Sequence, residues 1–150
     1  MSGSPDSTSN ELYSSVTPEV RQELLKIARE VTLPRGTKLV LSGVKPKQLI
    51  ILNSGAARVE VLSDGKTLTL GVAGPGKVLA LRAIVADEPA EIEVTALEDC
   101  NVTLLESTQF LATLRRHPRM YLAIAKVLSA DLLNADRFLR QRSGTSTAGR

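Results

Sequence analysis

Aromatic side chains are scarce in this sequence: two Tyr, two Phe and no Trp among 150 residues. Single-stranded nucleic acid is held by stacking bases on such rings, so the chain has almost no platform for it. An oligonucleotide-binding barrel is therefore a poor fit. Histidine is as rare. The single His117 stands beside Pro118 at a helix boundary. A metal enzyme built on a β-barrel needs several histidines and a carboxylate converging inside the barrel, and one histidine does not supply that set. No Ser-His-Asp or Cys-His arrangement is legible either. The stretch GPGKV at 74–78 lacks the spacing of a nucleotide P-loop and the Ser/Thr that should follow Lys77. No enzyme, no metal and no cofactor is expected.

Cysteine and long apolar runs are also missing. The lone Cys100 cannot form an internal disulfide, which fits a reducing compartment. It follows Asp99 with no His or second Cys nearby in sequence, and reads as a plain half-buried residue. No apolar run approaches the roughly 18 residues needed to span a membrane. The N-terminal MSGSPDSTSN carries no apolar signal core. The sequence-based expectation is a cytoplasmic protein without membrane association.

What is present suits one domain with a real core: 150 residues, 43% hydrophobic and 23% charged. The net charge of +3 is too small to argue for nucleic acid by itself. The basic residues are unevenly placed, however. From Arg115 onward eight Arg/Lys face two Asp, Asp131 and Asp136. A solvated helix face with a basic tail explains this; attraction to an acidic partner or to DNA is the sharper alternative.

Along the chain, residues 1–11 are Ser-rich and read as a disordered tail. Thr17-Pro18 starts a helix, with Thr as N-cap and Pro at the first helical position. Val20, Leu24, Leu25, Ile27, Ala28 and Val31 give that helix its apolar stripe, and Pro34-Arg35-Gly36 ends it. Short strands follow to about Glu106: KLVLSG, QLIILNSG, ARVEVLSDG, TLTLGVAGPG, then EVTAL and NVTLLE. ARVEVL alternates as a half-buried strand should. Asp64-Gly65 supplies the positive φ of a hairpin turn. Many short strands with close turns argue for a sandwich or small barrel. Ser107 then caps QFLATLRR, and Pro118 opens a long helix to about Arg140. Its Tyr121, Ala125, Leu128, Leu132, Ala135 and Leu139 recur in a heptad seam. Ile124, Val127 and Phe138 form a second apolar edge. One edge suits the chain's own barrel and the other a second copy. Residues 143–150 read as a second tail.

The order of helix, Gly-punctuated strands, a Gly-Pro-Gly turn at Gly74–Gly76, two more strands and a long helix resembles the cyclic-nucleotide-binding domain of the Crp/Fnr regulators. The likeness is carried by Gly36-Thr37-Lys38-Leu39, by Ile51-Leu52 before Gly55, by Gly74-Pro75-Gly76, and by LEDCNVTLLESTQFLATLRRHP. It covers about residues 17–142. It implies a mainly β fold with flanking helices: a double-stranded β-helix, or jelly-roll, barrel followed by a long dimerisation helix at about 118–140. The domain would run from residue 12 to 142.

In the family a Gly-Glu-Leu-Ala turn holds the ribose through its Glu, and a following Pro-Arg-Ser/Thr-Ala holds the cyclic phosphate through its Arg. Aligned without gaps, the Gly falls on Ala80, the Glu on Leu81, the Leu on Arg82 and the Ala on Ala83. Pro89 is kept, while the Arg falls on Ala90, the Ser/Thr on Glu91 and the next Ala on Ile92. The nucleotide-facing pair of the last helix falls on Ala135 and Asp136. The resemblance thus implies an inherited pocket around Leu79, Ala80, Leu81, Arg82, Ala83, Ala90, Glu91 and Ile92 that has lost both specific side chains. Arg82 could still offer a guanidinium fork to an anion.

The expected function is a dimeric regulatory domain in signalling and transcription control that does not respond to cyclic AMP or cyclic GMP, its small-molecule effector unknown or absent. Two alternatives stay open: a ligand-free interaction module acting through its C-terminal helix, and a divergent true cyclic-nucleotide binder. The family's regulators continue into a helix-turn-helix domain. The sequence reads either as a stand-alone sensor domain or as a fragment lacking that part. No sequence-specific DNA binding by this chain alone is expected.

Overall fold

The computed structural model describes residues 10–130. The greater part of the N-terminal tail, the 143–150 tail, and Leu132, Ala135, Asp136, Phe138 and Leu139 of the long helix lie outside the described residues.

After a short 3-10 turn at Tyr13–Ser15, helix α1 runs over Pro18–Ile27. The Thr17 hydroxyl accepts from the Val20 amide at 3.3 Å, so the N-cap is as the sequence suggests. The helix ends earlier than its stripe implies. Ala28 is extended, and Arg29–Leu33 forms strand β1, paired antiparallel with the last strand. Val31 and Thr32 are β-branched and prefer a pleated strand to a helix's last turn. Val31 packs on the barrel, and Leu25, a member of the stripe by its spacing, is 41% exposed.

The remaining strands are β2 (Lys38–Val40), β3 (Gln48–Ser54), β4 (Ala57–Ser63), β5 (Lys66–Ala73), β6 (Val78–Leu79), β7 (Ile92–Ala96) and β8 (Cys100–Glu106). The described strands form two four-stranded sheets, ordered β1-β8-β3-β6 and β2-β7-β4-β5. This is the jelly-roll arrangement. The β4–β5 hairpin pairs Ser63 with Lys66 across Asp64-Gly65, whose φ values of 52° and 74° match the turn read from sequence. β4 does not alternate cleanly. Ala57 is buried, the middle is half-buried, and Leu62 is 52% exposed. β2 is shorter than KLVLSG suggests, and Leu41 beyond it is exposed.

Helices cover one sheet. α2 spans Leu81–Ala86, where the sequence suggests only a turn, and α3 spans Ser107–Arg116. Ser107 is the first residue of α3 and not its cap. Its amide donates to the Lys47 carbonyl at 2.9 Å, which satisfies a first-turn donor from outside the helix. After a turn at Pro118-Arg119 the chain is helical again from 120 to 130, here α4. Its Met120, Ile124 and Val127 are buried.

There are two apolar layers. One lies between the helices and the sheet that contains β3, around Leu24, Leu49, Ile51, Leu105, Phe110 and Ile124. The other fills the space between the sheets, around Ile50, Leu52, Val94, Val102 and Leu104. β3 sends alternate residues to each layer, which explains its unbroken apolar run. At the end of α3, Arg116 and His117 both contact the Glu23 carboxylate of α1. The hydrogen bond from Arg116, then that of His117, holds the Glu23 acid below its ordinary range. This cluster fixes α1 against the start of α4.

Three backbone positions give a test of opposite sign. Gly55 has φ +96°, and a Cβ there would lie 2.6 Å from the Asp99 carbonyl oxygen and 2.8 Å from Cys100 Sγ. Gly36 has φ +90°, and a Cβ there would meet nothing within 4 Å. Gly36→Ala should cost about 1 kcal/mol for its conformation alone, and Gly55→Ala at least about 2 kcal/mol more for the collision. Ala80, at the entry to α2, is itself left-handed, with φ +74°. Ala80→Gly should therefore stabilise by about 0.5–1 kcal/mol. Denaturant unfolding of the three variants checks the order; an Ala80→Gly protein less stable than the parent would contradict the strain.

Candidate functional site

A cavity of about 1160 Å³ opens beside the Gly74–Gly76 turn. Its walls are the β4–β5 hairpin, the chain from Lys77 through the first turn of α2, and residues 90–92. Asn10, Glu11 and Ser14 close one side, and Leu128 of α4 another. The turn is pinned to β3: the Gly76 amide donates to the Leu52 carbonyl at 2.7 Å, and the Leu52 amide to the Lys77 carbonyl at 2.9 Å. β6 then pairs Leu79 with Ile50, which sets the direction in which the chain enters α2.

The structure brings all of the sequence-derived pocket residues around this one cavity. Leu79, Ala80, Leu81, Arg82 and Ala83 form one wall, and Ala90, Glu91 and Ile92 the facing one. Their environments differ sharply. Ala90 is 5% exposed and packs in the layer between the sheets. Its amide donates to the Val44 carbonyl at 3.0 Å, and its carbonyl accepts from the Gly43 amide at 2.8 Å, so its backbone is fully committed. Leu81 is 2% exposed and belongs to the core under the helices.

The charged residues lie at the mouth. Arg82 reaches Glu88 at 3.5 Å and Glu91 at 3.8 Å, with all three side chains more than half exposed. The guanidinium fork thus already faces two carboxylates. Such solvated pairs contribute about 0–1 kcal/mol each, so they orient Arg82 without locking it. Glu91 points to solvent and to Arg82, not into the cavity's depth. Lys77 also lines the cavity and is already engaged.

Other lining residues give no signal in the sequence. Asn10 and Glu11 sit in a polar stretch that reads as a tail, yet Asn10 is 4% exposed and the Glu11 carboxylate accepts from the Val78 amide at 2.7 Å. The contact joins residues 67 positions apart, which no local pattern encodes. Leu128, a seam position by its spacing, is half-buried and lines the cavity. Leu70 and Val72 come from the hairpin's outer strand.

The remaining chemistry lies elsewhere. Cys100 is fully buried rather than half-buried, and burial, above all, raises its thiol above the ordinary range. A protonated thiol is a poor nucleophile. Among the described residues no group of three or more His, Cys, Asp or Glu could hold a metal ion, and no helix is long and apolar enough to cross a membrane.

Comparison with known proteins places this geometry. The cyclic AMP receptor protein of Thermus thermophilus is 26% identical over 137 residues, covering 91% of this chain and 61% of the relative. The chain thus spans about three fifths of the length of the curated relative it matches. The crystal structure of the Thermus thermophilus catabolite activator protein superposes with a TM-score of 0.74 at 24% identity, covering 89% of this chain and 63% of that one. The sensor domain of the transcriptional regulator DNR from Pseudomonas aeruginosa gives 0.68 at 23% identity, covering 83% and 85%. The family model described as "Cyclic nucleotide-binding domain" matches residues 30–117, more than half of the chain. From strand order, turn positions and this match together, the chain belongs to the cyclic nucleotide-binding domain family.

Proposed function

We propose that the chain is a sensor-type regulatory domain of a Crp/Fnr-like regulator, that it works as a homodimer, and that its effector is neither cyclic AMP nor cyclic GMP. The observation that carries the last point is the pair Ala90 and Leu81. The first offers a buried methyl where a cyclic phosphate needs a cation, and the second a core side chain where the ribose needs an acid. Losing a charge-assisted hydrogen bond to the phosphate costs about 1.5–3 kcal/mol, and an unpaired ribose hydroxyl about 1–3 kcal/mol more. Together they weaken binding by about 10²–10⁴. The size of the cavity favours a domain with a small-molecule effector over a ligand-free interaction module.

The dimer reading is supported by α4. Met120, Ala123, Ile124 and Val127 are turned into the chain's own core. Tyr121 is 47% and Leu122 70% exposed, and Ala125 is exposed as well. The face that carries the start of the heptad seam is thus left unused by the monomer. Tyr121 and Ala125 would pack against the same helix of a second copy.

Titration calorimetry of the purified chain with cyclic AMP or cyclic GMP should show no binding up to about 0.1 mM; a micromolar dissociation constant would overturn the assignment. Sedimentation should show a dimer at tens of micromolar. The double substitution Tyr121→Glu, Ala125→Arg should give a monomer whose thermal midpoint, read where the parent is also dissociated, is little changed, because both positions are exposed. A monomeric parent would sink the dimer.

A further inference from the structure

We infer that the cavity takes an uncharged, predominantly apolar small molecule. This rests on the reading of the cavity as an effector site that does not serve cyclic nucleotides. The inner wall is hydrocarbon. Ala73, Leu79, Ala83 and Ala90 are each 3–6% exposed and stand with Val59 and Ile92 on the layer between the sheets. Leu70, Val72 and Leu128 extend this lining toward the mouth, with Val72 64% exposed. An apolar body entering here removes the exposed parts of Val59, Leu70, Val72, Ile92 and Leu128 from water, against an inner wall without polar side chains.

The charges argue against an anion. Arg82 and Lys77 are the cations that line the cavity among the described residues, and both are engaged. Arg82 stands between Glu88 and Glu91, so an incoming anion meets two carboxylates for one guanidinium. The Glu11 carboxylate adds a third negative group on the opposite side, held there by the Val78 amide. A cation gains little in return, because those carboxylates are already partnered and Glu88 and Glu91 remain solvated. Asn10, the neutral polar residue beside Glu11, is buried, and its Oδ1 accepts from the Tyr13 amide at 2.8 Å, so it adds no charge to the lining.

The test uses two fluorescent probes of similar shape and different charge: uncharged N-phenyl-1-naphthylamine and its anionic relative 8-anilino-1-naphthalenesulfonate. The uncharged probe should bind the full chain with one site per chain, at least about tenfold tighter than the sulfonate. Ile92→Trp, which fills the cavity from β7, should abolish that binding while leaving the circular dichroism spectrum and oligomeric state unchanged. Val59→Trp fills it from β4 and serves if the first variant does not fold. Equal or tighter binding of the sulfonate, no binding of the uncharged probe to folded protein, or binding that survives a folded cavity-filling variant would each overturn the inference. Displacement of the probe by micromolar cyclic AMP would instead overturn the functional reading beneath it. Silence of both the uncharged probe and cyclic AMP would overturn this inference alone.

Discussion

Everything near the cavity depends on β3 being walled in on both faces. Leu49 and Ile51 anchor the helices, while Ile50 and Leu52 fill the space between the sheets. Each buried side chain contributes about 1.5–3 kcal/mol relative to exposure, and they lie on consecutive residues. The strand cannot slip by one position without exchanging the two sets. Because its register is fixed, the bond that the Leu52 carbonyl accepts from the Gly76 amide and the bond that the Leu52 amide donates to the Lys77 carbonyl are fixed too, and with them the Gly-Pro-Gly turn. The short β6 pairing then delivers the chain to Ala80, whose left-handed backbone turns it into α2. The cavity is the space left beside that path.

The barrel itself rests on glycine-permitted turns, two apolar layers and covering helices. Of the side chains on residues 80–92 beside it, Leu81 and Ala90 are absorbed into the two cores. The polar groups that remain, Arg82, Glu88 and Glu91, satisfy one another at the mouth.

The helical layer borders both the cavity and the outside. Leu128 lines the cavity from α4, while Tyr121 and Leu122 on the same helix face outward. The Glu23 contacts with Arg116 and His117 hold the base of the helix.

Much of the barrel is written locally. Asp64-Gly65 specifies its turn because its residues tolerate positive φ, Thr17-Pro18 specifies a helix start because its hydroxyl meets a free amide, and the β3 run announces burial. Residues 79–83 and 90–92, which the sequence groups together, do line one cavity, and of the seam read from the period of α4, Tyr121 and Ala125 are exposed while Leu128 is half-buried. Val31 is not legible in this way, since a stripe of apolar residues does not say whether the next segment will find a strand to pair with; β8, about seventy residues away, decides that. Ser107 loses its capping role to the Lys47 carbonyl for the same reason. Glu11 cannot be assigned to the cavity from sequence, because its partner is the distant Val78 amide. Local backbone preference and burial pattern are properties of neighbouring residues and can be read from sequence. Which charge faces which, and which side chain a cavity receives, depends on contacts that only the closed barrel creates.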